Sequence, residues 1–242
     1  MSVSRLLCIF GLAASCLVTS AFADEAAIRK NLAARLPSLG PIDEVTRTPI
    51  AGVWEVRMGN EIIYSDDLGS FVIEGNIIDL QKQLNLTQDR VAKLTAFDFA
   101  KLPLKDAVVW KQGTGARKLV VFADPNCTYC KHFEKELSSV KDITVYTFLI
   151  PILGGDSPEK SKAIWCAKDN GKVWRSWMLD GTTPPTVAGA CDAGALDRNL
   201  ALGLKHGVNG TPMLVFADNK RMPGIMTAAE LDKKLSSLDP PL

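Results

Sequence analysis

The sequence holds two closely spaced cysteines, Cys127 and Cys130, where an apolar run at residues 118–123 meets a helical pattern at residues 131–137. A Cys-x-x-Cys pair at a strand-to-helix junction places its first sulfur at the N-terminus of a helix. There, unpaired backbone N–H groups and the positive end of the helix dipole favour the thiolate over the thiol. Because the thiolate is the form that attacks disulfides, the pattern predicts a redox pair in which Cys127 attacks and Cys130 resolves the mixed disulfide.

Three alternatives compete with a redox pair. The two sulfurs could form a structural disulfide, although a strained pair at a helix start is of the reducible kind. A zinc site is disfavoured because the later cysteines, Cys166 and Cys191, do not form a second close pair. Covalent haem attachment requires His directly after the second cysteine, and Lys131 stands there instead. The sequence therefore predicts neither a metal nor a cofactor.

Residues 1–23 have the pattern of a secretory signal peptide. They combine a basic residue, Arg5, with an apolar stretch and a small-x-small cleavage signal, Ala-Phe-Ala, at residues 21–23. The stretch is too short to span a membrane. A lipoprotein signal with Cys16 as the lipid-accepting residue is the alternative, and Ala13 stands where such signals usually carry Leu. The pattern predicts an exported protein with a cleaved leader.

The charge balance excludes some classes of partner. The whole chain has 28 basic and 27 acidic residues, and removal of the leader takes away Arg5, so that the mature net charge is near zero. The chain therefore lacks the excess of basic residues that would indicate binding to nucleic acid or to anionic lipid.

The cysteine count fits an oxidising compartment. Cys8 and Cys16 leave with the leader, and the other cysteines form an even set. Cys166 lies in an apolar helical stretch and Cys191 in a loop of small residues, and we predict a structural disulfide between them. A second redox pair is the alternative, which is disfavoured because neither sulfur has a helix-start environment.

The first part of the mature chain has the pattern of a small α+β domain. A helix is predicted at residues 26–36, strands at 52–58, 61–64 and 70–73, and a linker helix at 85–101. A free sheet edge in so small a domain favours pairing with a second copy.

The second part alternates strands and helices around the cysteine pair. Strands are predicted at residues 108–110, 119–123, 143–149, 213–217 and 221–223, and helices after the cysteine pair, at 157–179, at 195–206 and at 227–238. This is the order of a thioredoxin-like fold. The whole chain is therefore predicted to combine α+β and α/β parts, with a signal peptide at 1–23, an N-terminal dimerisation domain at 24–84, a linker helix at 85–103 and a thioredoxin-like catalytic domain with a helical insertion at 104–242.

Thr211 and Pro212 directly precede a predicted strand. A proline is tolerated at a strand start, where no N–H is needed. In thioredoxin-like folds the corresponding proline is cis and lies beside the active sulfurs, leaving backbone groups free to pair with a substrate strand. An ordinary trans turn proline is the alternative, and the pairing with the cysteine motif favours the cis form.

Other residues near the pair carry less information. His132 and His206 are weak candidates for a general base. Val121 occupies the position where thioredoxins carry a buried acid, which argues against a dedicated reductase of that type. Trp174 and Trp177, with Trp165, are predicted to pack the helical insertion.

The sequence resembles the periplasmic disulfide isomerase family of DsbC and DsbG. The resemblance covers the mature chain and rests on Cys127-Thr-Tyr-Cys130, on Ala-Ile-Trp-Cys-Ala-Lys at residues 163–168 and on Gly-Thr-Pro at residues 210–212. Thr128 departs from it, because DsbC typically has Gly and DsbG has Pro at that position. The residue between the sulfurs affects thiolate stability and reduction potential, so the choice between the two subfamilies stays open.

The resemblance implies a function and a set of partners. It implies a periplasmic homodimer that attacks non-native disulfides of misfolded exported proteins, with associated chaperone activity. An inner-membrane thiol reductase, DsbD-like, would keep Cys127 and Cys130 reduced. The substrate would contact Thr128, Tyr129 and the Thr211–Pro212 segment. The alternatives are a DsbG-like reductase of single oxidised cysteines, a monomeric oxidase, and a holdase chaperone with secondary redox activity.

Overall fold

The computed structural model describes residues 19–187 and 189–238, which fall into two compact units divided between Val91 and Ala92. Most of the predicted leader, with Cys8 and Cys16, lies outside the described residues. The backbone of residues 19–23 forms the start of helix α1 (Thr19–Arg35), which begins earlier than the helix predicted at 26–36.

The first unit is built on a four-stranded antiparallel sheet in sequential order. Its strands are β1 (Glu44–Arg47), β2 (Val53–Met58), β3 (Glu61–Asp66) and β4 (Val72–Ile73). Alternate side chains of β2 are buried, as expected of a strand with one face on a core. That core joins α1 to the sheet and contains Ile28, Leu32, Val45, Trp54, Val56 and Ile63.

A short hairpin and a helix follow this sheet. The hairpin strands are β5 (Ile78–Asp79) and β6 (Leu84–Asn85), and helix α2 spans Leu86–Leu94. The helix predicted over 85–101 is therefore too long. Phe97 and Phe99 are both buried, and residues two apart cannot share one face of a helix, so the chain leaves the helical path before them.

The second unit contains a five-stranded mixed sheet. Two short 3-10 turns, Phe99–Lys101 and Leu104–Asp106, precede its first strand. The elements that follow, in chain order, are β7 (Val108–Gln112), β8 (Arg117–Ala123), α3 (Thr128–Leu137), β9 (Ile143–Leu149), α4 (Ser157–Trp165), α5 (Asn170–Asp180), α6 (Gly194–Lys205), β10 (Met213–Phe216), β11 (Arg221–Pro223) and α7 (Ala228–Ser236). The sheet order is β11-β10-β8-β9-β7. The predicted combination of a small α+β part with a thioredoxin-like part is confirmed.

Strand β8 is central in this sheet and leads directly to the cysteine pair. It runs parallel to β9 and antiparallel to β10, and its last five side chains, residues 119–123, are buried. In the register with β10, Met213 pairs with Phe122. Pro212, one residue before Met213, therefore lies at the same end of the sheet as the start of α3. The sheet topology brings the two motifs together from positions far apart in the sequence.

The helical insertion consists of two helices instead of the one stretch predicted at 157–179. Helix α4 ends at Trp165 with Cys166 as its C-cap, and α5 begins anew with Asp169 as its N-cap. The Asp169 side chain accepts a hydrogen bond from the Lys172 N–H, which starts the second helix as a separate element.

Candidate active site

Cys127 is the N-cap of helix α3. Its N–H donates to the Asp124 carbonyl at 3.1 Å, and its Sγ accepts from the Cys130 N–H at 3.1 Å. An N-cap side chain that accepts from the third residue of the helix satisfies a backbone N–H that has no partner inside the helix. Here a sulfur occupies the position that Ser or Asp usually takes, so the helix end acts directly on the thiol.

Both sulfurs are present as free thiols in a buried setting. Cys127 is 4% exposed, whereas Tyr129 between the two cysteines is 64% exposed and Thr128 also lies at the surface. The pair therefore sits just below a surface formed by the residues of its own motif.

The environment separates the pKa values of the two thiols. The pKa of Cys127 is lowered to about 6, first by a hydrogen bond with the Cys130 side chain and further by the N–H groups of Cys130 and Tyr129, against burial, which raises it. Burial, followed by the hydrogen bond and charge of Cys127, raises the pKa of Cys130 well above its ordinary value. At neutral pH Cys127 is therefore mostly a thiolate beside a protonated Cys130, which suits one sulfur to attack and the other to remain in reserve.

The Thr211–Pro212 peptide bond is cis, and this segment contacts the first sulfur. In its thiol form Cys127 donates to the Thr211 carbonyl at 3.3 Å. Pro212 is buried, and the Thr211 side chain lies close enough to the sulfurs to help lower the pKa of Cys127. The structure thus brings together Cys127, Cys130 and the Thr211–Pro212 segment.

Trp177 contacts the site instead of only packing the insertion. Its Nε1 donates to the Pro125 carbonyl at 2.6 Å, two residues before Cys127. The ammonium groups of Lys131 and Lys160 lie 4.3 and 4.4 Å from the centroid of its ring. Helix α5 is thereby attached to the loop that leads to the nucleophile.

Two buried carboxyl groups beside the pair were missed by sequence reasoning. Asp124 precedes the pair and Glu134 follows it, one helical turn after Cys130. Trp174 donates to Glu134 Oε1 at 2.6 Å, and burial raises the pKa of Glu134 to about 7. A charged residue directly after an apolar strand was the available signal for Asp124, whereas the sequence around Glu134 indicates an exposed helix face.

Cys166 and Cys191 are joined by a disulfide with an S–S distance of 1.98 Å. The bond connects the end of α4 to the segment that precedes α6. Trp165 reinforces the same connection, because its Nε1 donates to the Asp192 carbonyl at 3.0 Å.

The two histidines add little to the site. His132 lies at the surface with its ring perpendicular to that of Tyr129, and His206 stacks on Phe97 with its pKa lowered, mainly by burial. Across residues 19–187 and 189–238, the acidic, histidine and cysteine side chains form no group of three or more suited to a metal ion. None of the helices in these ranges has the length and apolar character needed to cross a membrane.

The fold and the site define a class of protein, the thioredoxin-like thiol–disulfide oxidoreductases that carry an additional N-terminal unit. Residues 104–238 match the thioredoxin-like domain model, and residues 19–88 match the model of the disulfide bond isomerase protein N-terminal domain.

Named relatives narrow this class. The chain is 41% identical over 209 residues to the "Probable thiol:disulfide interchange protein DsbC" of Bordetella pertussis, covering 86% of this chain and 73% of the relative. It is 30% identical over 221 residues to the thiol:disulfide interchange protein DsbC of Escherichia coli, covering 88% of each. A crystal structure of a disulfide interchange protein from Neisseria gonorrhoeae, 35% identical, aligns with a TM-score of 0.53 over 56% of this chain and 97% of that one. The chain belongs to the DsbC family of thiol:disulfide interchange proteins.

Proposed function

We propose that the protein is a disulfide isomerase of exported proteins, in which the Cys127 thiolate attacks non-native disulfides. The observation that carries the proposal is the placement of Cys127 Sγ at the N-terminus of α3, 3.1 Å from the Cys130 N–H. A hydrogen bond with the Cys130 side chain and, to a lesser extent, this N–H contact lower the pKa of the thiol. The sulfur also lies beside the Thr211 carbonyl, where an extended substrate segment can approach.

The reaction proceeds by thiol–disulfide exchange. The Cys127 thiolate attacks one sulfur of a substrate disulfide, a Cys127–substrate disulfide forms, and the other substrate sulfur leaves as a thiolate that takes up a proton. A different substrate thiolate then attacks the substrate sulfur of the mixed disulfide. The new substrate disulfide forms and Cys127 is released as a thiolate, so the exchange rearranges bonds without net oxidation.

Cys130 provides a second outcome. When no substrate thiol attacks, Cys130 loses its proton and attacks Cys127 Sγ, which yields a Cys127–Cys130 disulfide and a reduced substrate. Two electrons from a dithiol reductase must then restore the pair, and we propose a DsbD-like inner-membrane thiol reductase as that donor. Burial is the largest cause of the raised pKa of Cys130 and persists when Cys127 is in the mixed disulfide, so few Cys130 thiolates form and this outcome is the slower one.

The surface around the sulfurs supports a role in substrate contact. Tyr129 and Thr128 are exposed next to Cys127, and Thr211 and Pro212 lie on its other side. We propose that these residues form the first contacts with the substrate chain.

The N-terminal unit supports a homodimer. Phe71 and Ile73 are exposed, at 73% and 56%, on and next to the edge strand β4 of the four-stranded sheet. An unpaired strand edge with exposed apolar side chains favours pairing with another copy. We propose that residues 24–84 join two chains, that residues 85–103 link them to the catalytic domain at 104–242, and that the predicted leader directs the protein to the periplasm.

The test is refolding of a substrate protein whose disulfides have been scrambled. The mature protein should restore substrate activity, and Cys127→Ser should lose this ability by roughly a thousandfold. A fully active Cys127→Ser variant would refute the mechanism. Suppression of aggregation that survives Cys127→Ala with Cys130→Ala, in a protein without exchange activity, would favour a holdase. Faster reaction with a sulfenic acid than with a scrambled disulfide would favour the DsbG-like role.

A further inference from the structure

The loop before the nucleophile, residues 124–126, contains a buried carboxylate that the proposed reaction does not use. Asp124 is fully buried. Its Oδ1 accepts from the Asn126 N–H at 2.8 Å and from the Ser157 hydroxyl at 2.7 Å, and its Oδ2 accepts from the Leu153 N–H at 2.9 Å. A carboxylate offers only acceptor sites, so the three converging donors match its chemistry.

The backbone of Asp124 also contacts the nucleophile. Its carbonyl accepts from the Cys127 N–H at 3.1 Å, which closes a turn that ends at the N-cap of α3. At the other end of the loop, the Ala123 carbonyl accepts from the Ile150 N–H at 2.9 Å. One residue thus fixes the loop through its side chain and the nucleophile through its carbonyl.

The other two residues of the loop are held by the helical insertion. The Asn126 side chain donates to Ser157 Oγ at 2.9 Å and accepts from Lys160 Nζ at 2.9 Å, and both partners lie on α4. The Pro125 carbonyl accepts from Trp177 of α5. Every residue of the loop is therefore attached to an element that does not contain the cysteine pair.

We propose that Asp124 is a positioning residue, whose carboxylate holds residues 124–126 so that Cys127 Sγ stays within hydrogen-bond distance of the Cys130 N–H. The proposal rests on the proposed role of Cys127 as the attacking thiolate. Its physical reason is the steep distance dependence of hydrogen bonds, since a loop that shifts by about 1 Å moves the sulfur out of range of its donor. The thiolate would then lose the stabilisation that the helix end provides.

Asp124→Asn tests this role with little change in shape. An amide has one acceptor oxygen and a nitrogen that can only donate, so at least one of the three donors is left facing another donor. We expect the pKa of the Cys127 thiol to rise by about one unit, which lowers the thiolate fraction about tenfold at low pH. The measurement is the rate of Cys127 alkylation by iodoacetamide against pH, in the mature full-length protein. The rate should fall about tenfold below pH 6 and change less than about twofold above pH 8.

Two further variants separate positioning from stability. Asp106 is a matched control, because its buried carboxylate is bound by Arg198 at 2.7 and 2.9 Å, away from the loop. Asp106→Asn should lower the melting temperature and leave the alkylation profile unchanged. Ser157→Ala removes one of the three donors to Asp124 and an acceptor of the Asn126 side chain, while the Asp124 carboxylate keeps its other two donors. It should shift the profile in the same direction by a smaller amount, which preserves the test if Asp124→Asn does not fold.

The outcomes distinguish this proposal from the proposed function. If Asp124→Asn and Ser157→Ala melt earlier but keep the wild-type alkylation profile, Asp124 is only structural and the proposal is wrong. An isomerase-active Cys127→Ser variant would overturn the proposed function, whereas the alkylation profile still reports whether Asp124 positions the thiol.

Discussion

The protein contains two cysteine pairs whose chemistry differs because their surroundings differ. Cys127 and Cys130 lie at the start of a helix, where a backbone N–H approaches the first sulfur to 3.1 Å. Cys166 and Cys191 lie at the end of one helix and in the segment before another, and they are bonded to each other. The N-terminus of a helix stabilises a thiolate, whereas its C-terminus, with its unpaired carbonyl groups, does not. The position of a sulfur relative to a helix thus separates a reactive pair from a structural one.

The largest expected contrast between the pairs is in activity. Cys166→Ala with Cys191→Ala should keep disulfide-reshuffling activity within about twofold of wild type at a temperature where the variant is folded, while Cys127→Ser loses roughly a thousandfold. The scrambled-substrate assay measures both. A loss in the double variant as large as that of Cys127→Ser would show that the second pair also takes part in exchange.

The second contrast is in stability. The Cys166–Cys191 bond closes a loop with a sequence separation of 25. Its removal by the double Ala substitution should therefore cost about 3 kcal/mol of the free energy of unfolding. The reduced wild type has no bond between Cys127 and Cys130, so Cys127→Ala with Cys130→Ala removes no cross-link. Measured against that reduced protein, the double substitution should cost less than half as much free energy of unfolding. Urea titration of the variants checks both values, and equal losses would contradict the division of roles.

A third prediction concerns the helix of the reactive pair, which carries Glu134 in the core. Its pKa is raised from the ordinary 4.5 to about 7, so the folded protein keeps this proton over a range where the unfolded chain releases it. Stability should therefore fall as the pH rises from about 4.5 to 7, by up to roughly 3 kcal/mol, and the loss should be complete above that range.

Glu134→Gln cannot ionise and should lack this part of the pH dependence. The measurement is the urea midpoint of both proteins at pH 5 and pH 8. Other groups that titrate in this range affect both proteins equally, so their contribution cancels when the two pH dependences are subtracted. An identical pH dependence in the two proteins would show that Glu134 does not keep its proton on folding.

Local patterns were enough to predict the junction at the reactive pair. The apolar run of β8 and the helical spacing after Cys130 are both contained in a few consecutive residues, and the structure has a strand and a helix there. The C-terminal end of α2 could not be predicted in the same way, because the burial of Phe97 and Phe99 depends on tertiary contacts. The break between α4 and α5 did have a local signal, the N-cap at Asp169, which the prediction of one continuous helix overlooked.

The missed carboxyl groups illustrate the same limit. Glu134 lies between lysines and another glutamate in a sequence that indicates a solvated face, and its partner Trp174 is 40 residues away. The partners of the Asp124 side chain include Leu153 and Ser157, at separations of 29 and 33 residues. No local pattern encodes such contacts, so the sequence identified the reacting sulfurs but not the groups around them.

The disulfide between Cys166 and Cys191 has a consequence for the oxidative folding of the protein itself. Four cysteines allow three complete pairings, and only the pairing of Cys166 with Cys191 leaves Cys127 and Cys130 to each other. A chain that closes either of the other two holds its own nucleophile in a disulfide and cannot attack. We propose that a chain misbonded in this way is itself a substrate of the exchange reaction, which an active copy of the protein corrects.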